Sequence, residues 1–276
     1  CGASRFTLAT MPVDQYPTLP ELPERTGVVD GSALQQAVSQ VTSAASRDET
    51  LPILTAVRLE IEGSTISLLA TDRYRLALRE LEWKPAKSDV STVALVRAKT
   101  LSDTAKALGS GEVDLALGEG TGVDLIGFSA GGLMTTSQLM DGDYPPVRRL
   151  FRDENPITAV VRTQDLIDAT RRVSLVAERN SSVRLAFGEG EVVLDAGQTD
   201  DAQASEALEA TLEGEAITVA FNPQYLLDGL GALSSEYVQF GFLQETKPVE
   251  FVGIDKPGGT VAGEFRYLLV PIRITS

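Results

Sequence analysis

Asp72-Arg73-Tyr74-Arg75, preceded by Ala70-Thr71 and followed by Leu76-Ala77-Leu78, sets two arginines and a tyrosine in a turn between two apolar runs. These side chains suit recognition more than bond-making. A guanidinium fork pairs with carboxylates, phosphates and carbonyl oxygens, and a tyrosine ring offers apolar area with one polar tip. Taken alone, the turn also reads as a hairpin whose arginines lie in solvent. The parts needed for other chemistry are missing. The sequence has no histidine and one cysteine, Cys1, which removes Cys/His zinc sites, Ser-His-Asp and Cys-His catalysis, and any intrachain disulfide. Gly118-Glu119-Gly120-Thr121-Gly122 lacks the lysine and following hydroxyl residue of a phosphate loop, and reads as a hairpin turn. Asp200-Asp201, and Asp141 with Asp143, have the residue types for a divalent ion but read as solvated loop charge. No catalytic residue, metal or cofactor is assigned.

The elements that must position the turn come from an internal repeat. Val57-Arg58-Leu59-Glu60-Ile61 recurs 126 residues on as Val183-Arg184-Leu185-Ala186-Phe187, and Val93-Ala94-Leu95-Val96 recurs 125 residues on as Thr218-Val219-Ala220-Phe221. Two divergent copies of one α+β unit result, each with two helices packed on antiparallel sheet. In the first, Asp30 or Ser32 caps a helix through about Ser46, with Ala33, Leu34, Ala37, Val38 and Val41 at helical spacing. Its counterpart runs from Thr163 to about Glu178. The second helices are Ala98 to Leu108 and Pro223 to Leu233, where Pro223 suits a first turn. Strands are expected at Val113 to Leu117 and Phe251 to Ile254.

The expected domains are 26–150 and 151–276. Residues 1–25 fit neither copy. Arg5-Phe6-Thr7-Leu8 with Met11, Asp14, Tyr16 and Pro17 resembles Met134 to Leu139 with Met140, Asp143, Tyr144 and Pro145, so 1–25 is expected to be the tail of a preceding unit. The chain opens without methionine, which fits the same expectation of a fragment or processed product.

With 276 residues and 43% hydrophobic content, the chain can build real cores. No apolar run approaches the roughly 18 residues of a membrane span, and no secretory signal is evident, so a cytoplasmic protein is expected. The 39 acids against 24 bases give a net charge of -15, which argues against coating nucleic acid over the whole surface but leaves room for a local basic lining. Gly31 to Ser46 carries no charge at all, where the chain's average would put about two acids. That neutral face, with Gln36 and Gln40, and the cations Arg97, Lys99, Lys106, Arg171 and Arg172 on or near the other helices are suited to weak, sequence-blind contact with phosphates. They also read as ordinary solvent-facing helix.

Four motifs carry a family resemblance: Thr71-Asp72-Arg73-Tyr74-Arg75-Leu76-Ala77, Asp143-Tyr144-Pro145-Pro146-Val147-Arg148-Arg149-Leu150, Phe221-Asn222-Pro223-Gln224-Tyr225-Leu226 and Val270-Pro271-Ile272-Arg273. In this order and spacing they resemble the bacterial DNA polymerase III beta subunit family, the sliding clamps. The resemblance implies a non-enzymatic processivity factor with repeated DNA-clamp domains, a head-to-tail homodimer encircling duplex DNA without sequence preference. It further implies a groove between the second and third domains for short linear motifs of the replicative polymerase catalytic subunit, the clamp loader, repair polymerases and mismatch-repair proteins. Carried over by residue, the groove takes Leu54, Thr71, Arg73, Tyr74, Arg75, Leu76, Pro145, Arg149, Leu150, Val270, Pro271, Ile272 and Arg273, with Asn222 and Tyr225 on the third-domain side. Many clamps have Gly-His where this chain has Arg73-Tyr74, which implies a narrower or differently gated mouth. Arg47-Asp48-Glu49-Thr50 falls where clamps have a loop near the DNA, but its two acids disfavour direct contact. The alternative is a non-enzymatic repeat module that binds proteins without encircling DNA.

Overall fold

The computed structural model describes residues 2–18, 20–119, 124–152, 154–176, 182–199 and 202–273. Gly120, Thr121 and Gly122 of the glycine-rich loop, Asp200-Asp201, Cys1 and Glu178 lie outside them. One order of elements occurs twice. The first unit runs β1 (Arg25–Asp30), α1 (Gly31–Thr42), β2 (Ala56–Glu62), β3 (Thr65–Thr71), β4 (Arg75–Glu82), the short β5 (Lys84–Pro85), β6 (Ser91–Arg97), α2 (Ala98–Leu108), β7 (Glu112–Glu119), β8 (Asp124–Ala130) and β9 (Leu133–Gln138). The second runs β10 (Ile157–Arg162), α3 (Thr163–Val173), β11 (Val183–Phe187), β12 (Glu191–Thr199), β13 (Ala202–Glu213), β14 (Ile217–Phe221), α4 (Pro223–Ala232), β15 (Tyr237–Phe242), β16 (Val249–Ile254) and β17 (Val261–Leu269).

Local chemistry sets the helix starts. The Asp30 carboxylate accepts from the Ala33 N–H at 2.8 Å and opens α1, while Asn222 Oδ1 accepts from Gln224 and Tyr225 and opens α4, with Pro223 at the first turn. The first helix is shorter than its apolar spacing suggests. Thr42 Oγ1 bonds back to the Val38 carbonyl and Ser43 Oγ to that of Gln40, so hydroxyls compete with the backbone ladder and the helix closes at Thr42. In the second unit α3 likewise gives way to a 3₁₀ turn at Ser174–Val176.

All pairing is antiparallel. Five strands form one sheet, β5-β1-β7-β8-β9, and twelve form another, β14-β11-β12-β13-β10-β15-β16-β17-β4-β3-β2-β6. The larger sheet crosses from one unit to the other where β17 pairs with β4, from Phe265↔Arg79 to Leu269↔Arg75. Helices cover one face, burying Leu34, Ala37, Val38 and Val41 from α1 and Leu166, Ile167, Ala169 and Val173 from α3 in one continuous core.

The connection between the units lies on the opposite face. Tyr144 packs with Ala56 and Leu95 in a small second cluster, and Arg148 pairs with Glu60 at 2.8 Å and with Glu80. Beyond the seam, Arg266 bonds the Arg152 carbonyl and Glu250, both at 2.5 Å, and lies over the Phe151 ring. The connecting segment is therefore tied to both units.

Candidate functional site

The turn between β3 and β4 builds itself from its own side chains. Asp72 Oδ1 accepts from the N–H groups of Tyr74 and Arg75, each at 3.0 Å, and Thr71 Oγ1 donates to the Arg75 carbonyl at 2.7 Å. Arg73 pays the steric cost of closure, at φ 81, a region that favours glycine. The result splits the two arginines. Arg73 is exposed, whereas Arg75 is 7% exposed and held by two carboxylates, Asp72 at 2.9 Å and Asp228 of α4 at 2.5 Å. Burial alone would lower the Arg75 pKa, but the Tyr267 phenol and the two carboxylates outweigh it and hold the guanidinium above its ordinary value.

Three distant segments meet at this turn. Tyr225, on the first turn of α4, lies with its ring 4.3 Å from Arg75 Cζ and stacks near Tyr74, ring centroids 6.2 Å apart at 27°. The Val270 N–H, just past β17, donates to the Tyr74 carbonyl at 2.8 Å, and the Ile272 N–H donates to that of Ala220 at 2.7 Å. Tyr144, from the connection, accepts the Thr71 N–H on its hydroxyl at 3.1 Å. Its burial pushes the phenol pKa up.

Two open clefts flank the turn. One of about 340 Å³ has Arg73, Tyr74, Arg75 and Tyr225 with Arg47, Leu51 and Gln224 around it; the other, about 320 Å³, lies between the outer sheet face and Tyr144, Pro145, Val147 and Arg149. Leu54, Thr71 and Leu76 are buried, and Pro145 and Pro271 are half-buried. Leu150, Val270 and Ile272 remain 46%, 37% and 41% exposed, and Arg149 and Arg273 stand in solvent. Asn222 lies beside Tyr225 as the cap of α4. The sequence reading gives no site role to Asp72, Asp228, Gln224 or Tyr267, although Asp72 and Gln224 stand inside its motifs. Asp228 was within reach, since it stands three residues after Tyr225 and so shares its helix face.

The helical face carries a third, shallow cleft of about 380 Å³ over α1, lined by Ser32, Gln35, Gln36, Ser39, Ser102 and Lys106. Gln36 is exposed and bonds Ser234 Oγ. Gln40, expected on the same polar face, borders this cleft but is only 6% exposed, and its amide donates to the Ala232 carbonyl at 2.9 Å, so it also joins the units. The cations also divide. Lys99 and Lys106 are exposed, whereas Arg97 pairs with Glu49, Arg171 with Asp168, and Arg172 with Glu206, whose carboxyl Arg172 holds below its usual range. Among the described residues no three His, Cys, Asp or Glu side chains are grouped to hold a metal ion, and no helix is long and apolar enough to cross a membrane.

Against this geometry the comparisons are consistent along the whole chain. The family model for the DNA polymerase III beta subunit central domain matches residues 28–146, and that for its C-terminal domain matches 148–258. The beta sliding clamp of Streptomyces coelicolor is 51% identical over 277 aligned positions, which take in all of this chain and 74% of that protein. The sliding clamp of Bacillus subtilis superposes with a TM-score of 0.88 at 27% identity, over 99% of this chain and 71% of that one. The Pseudomonas aeruginosa clamp solved with griselimycin bound gives 0.87 at 26%, over 99% and 72%. With both domain models matched and a majority-identical relative aligned over all 276 residues of this chain, the chain belongs to the bacterial DNA polymerase III beta subunit family, the beta sliding clamps.

Proposed function

We propose that the chain supplies two of the repeated domains of a ring that encircles duplex DNA, 26–150 and 151–276, with 1–25 the end of a preceding one. In this role it acts in the cytoplasm as a processivity factor without chemistry of its own. DNA passes the helical face, where neutral amides and hydroxyls with Lys99 and Lys106 give weak contact and the ring supplies retention. Partner polymerases, the clamp loader and mismatch-repair proteins dock short linear motifs in the groove at the seam, between the Tyr74–Tyr225 pair and the exposed Leu150, Val270 and Ile272.

The observation that carries the groove is the convergence of the β3–β4 turn, the start of α4 and the segment after β17 on one solvent-open spot. Apolar side chains are left uncovered there, while Arg75 and the backbone around them are tightly fixed. Buried apolar anchors ringed by oriented polar groups are what a short peptide motif needs. The repeat supports a site as well, since the place equivalent to the turn in the second unit reads Gly197-Gln198-Thr199-Asp200 in sequence, with neither arginine nor tyrosine. The test is binding of a Gln-x-x-Leu-Phe-type peptide. Arg149→Ala with Ile272→Ala is expected to weaken it at least tenfold, a loss of about 1.4 kcal/mol or more; unchanged affinity would remove the groove. For the ring, the natural full-length protein is expected to stay on closed circular DNA and run off once that DNA is linearised, and equal loss from both forms would favour a binding module without encirclement.

A further inference from the structure

We infer that Asp228 is a positioning residue of the groove: it holds the Arg75 guanidinium flat against Tyr225 and so fixes the Tyr74–Tyr225 wall before any peptide arrives. The inference rests on the peptide-groove assignment above and adds a residue that the family resemblance did not bring forward.

A continuous relay of hydrogen bonds supports it. Gln224 Nε2 donates to Asp228 Oδ1 at 2.8 Å, Asp228 Oδ2 accepts from Arg75 at 2.5 Å, and Arg75 Nε donates to Asp72 Oδ2 at 2.9 Å. Asp72 Oδ1 then takes the two backbone N–H groups of the turn. Both oxygens of each carboxylate are engaged, with two bonds at Asp228 and three at Asp72, which restrains both. A guanidinium gripped on two edges by carboxylates cannot rotate out of its plane. Its Cζ lies over the Tyr225 ring, 4.3 Å from the centroid.

The main chain of Tyr225 has a support of its own. Tyr267 Oη donates to the Tyr225 carbonyl at 3.0 Å, and Gly229 lies so close to the Tyr267 ring that an added Cβ would sit 2.5 Å from it. The Tyr267 phenol also faces Arg75, but its bond to the Tyr225 carbonyl and the close Gly229 contact hold the α4 backbone, and the Tyr225 ring is the part left to Arg75 to orient. Remove the charge at 228 and Asp72 cannot compensate, because its other oxygen closes the turn. The guanidinium, left buried beside one carboxylate, turns toward solvent. Tyr225 loses its backing, and Tyr74 loses the ring it stacks on. The peptide must then order both rings as it binds.

A rival account makes the Arg75–Asp228 pair only a staple between the two units. Asp228→Asn separates the two, because it keeps the size and one hydrogen bond while removing the charge. The measurements are the affinity of a labelled Gln-x-x-Leu-Phe-type peptide, the melting temperature, and the ring signals of isotope-labelled tyrosine. The expected result is about five- to tenfold weaker binding, a shifted Tyr225 ring signal, and recovery of most of the affinity in Asp228→Glu. Wild-type affinity in Asp228→Asn overturns the inference and leaves the groove standing. So does a lowered melting temperature with weakened binding that Asp228→Glu does not restore, since that pattern is the staple alone. If the unaltered chain fails to bind the peptide, or if Arg149→Ala with Ile272→Ala binds as well as it, the groove assignment itself falls and the inference falls with it.

Discussion

Arg73 holds the most strained backbone position of the turn, and its side chain makes none of the bonds that close it. A left-handed conformation costs a residue with a Cβ about 1–2 kcal/mol, and glycine avoids it. Arg73→Gly gives back about 0.5–1 kcal/mol of this through glycine's freedom in the unfolded chain. The net expectation is a gain of roughly 0.5–1 kcal/mol, read as a raised midpoint in urea with an unchanged slope. Tyr144 is the opposite case, a side chain whose removal leaves the backbone short. Tyr144→Phe strands the buried Thr71 N–H and is expected to cost about 1–3 kcal/mol in the same assay. Its pH dependence has a definite sign. Burial raises the folded-state phenol pKa above the ordinary 10.0, so the stability this group contributes is complete below about pH 10 and declines as pH rises toward the folded value. Tyr267, buried at the seam and shifted in the same direction, adds to the alkaline loss. Tyr144→Phe is expected to show a shallower fall in stability above pH 10 than the unaltered chain, and a parallel fall would show that the phenol is not responsible.

At the scale of elements, the repeat made the unit legible. Strand and helix positions recur with the sequence, and α2 spans Ala98–Leu108 as its spacing indicates. Helix ends were less legible, because the hydroxyls of Thr42 and Ser43 act on the backbone and leave no mark on the apolar pattern. The seam is legible only through the family resemblance, which sets Val270 to Arg273 beside the turn, and the strand pairing that makes it is not. β4 and β17 are alternating apolar strands like their neighbours, and nothing in either names a partner almost 190 residues away. The turn's arginines were marked in sequence as a candidate pair, yet their separate fates depend on Asp228 arriving from α4. The same limit applies to the helical face, where composition gave the cations but not their partners. Binding of a short duplex across a salt titration is expected to separate them. Lys106→Ala should reduce the slope of log K against log salt by up to about 0.9 if that lysine neutralises one phosphate. Arg172→Ala should change the slope by less than half as much, because Glu206 already takes its guanidinium. Equal changes would mean that Arg172 leaves Glu206 for DNA.

For the whole molecule, the repeat identifies an edge that the described residues leave open. In the first unit the stretch from β4 to β5 does two jobs: Arg75 to Arg79 receives β17 of the other unit, and Lys84-Pro85 turns back to β1. The long β13 has the same division, with Ala210 to Glu213 paired to β10. Matching the two by these contacts aligns Ala202 to Glu206 with the part of β4 that takes β17, and among the described residues the four of these that pair, Ala202, Ala204, Ser205 and Glu206, pair only with β12. A strand edge of this kind invites another strand. Beside it, on the 3₁₀ turn after α3, Leu175 is 85% exposed, at the position that follows α1 at the inner seam, where Gln40 reaches the end of α4. One unit's last strand and helix end would thus meet another's β4-type edge at every joint, a head-to-tail contact that closes into a ring when the rotation permits. Leu175→Asp places a charge in that contact and touches no part of the groove. In the natural full-length protein it is expected to lower the assembled mass in sedimentation velocity at a fixed concentration and to shorten residence on circular DNA, while peptide affinity stays within twofold. Wild-type mass and residence would show that the assembly joint lies elsewhere and that the open edge of β13 is only an edge.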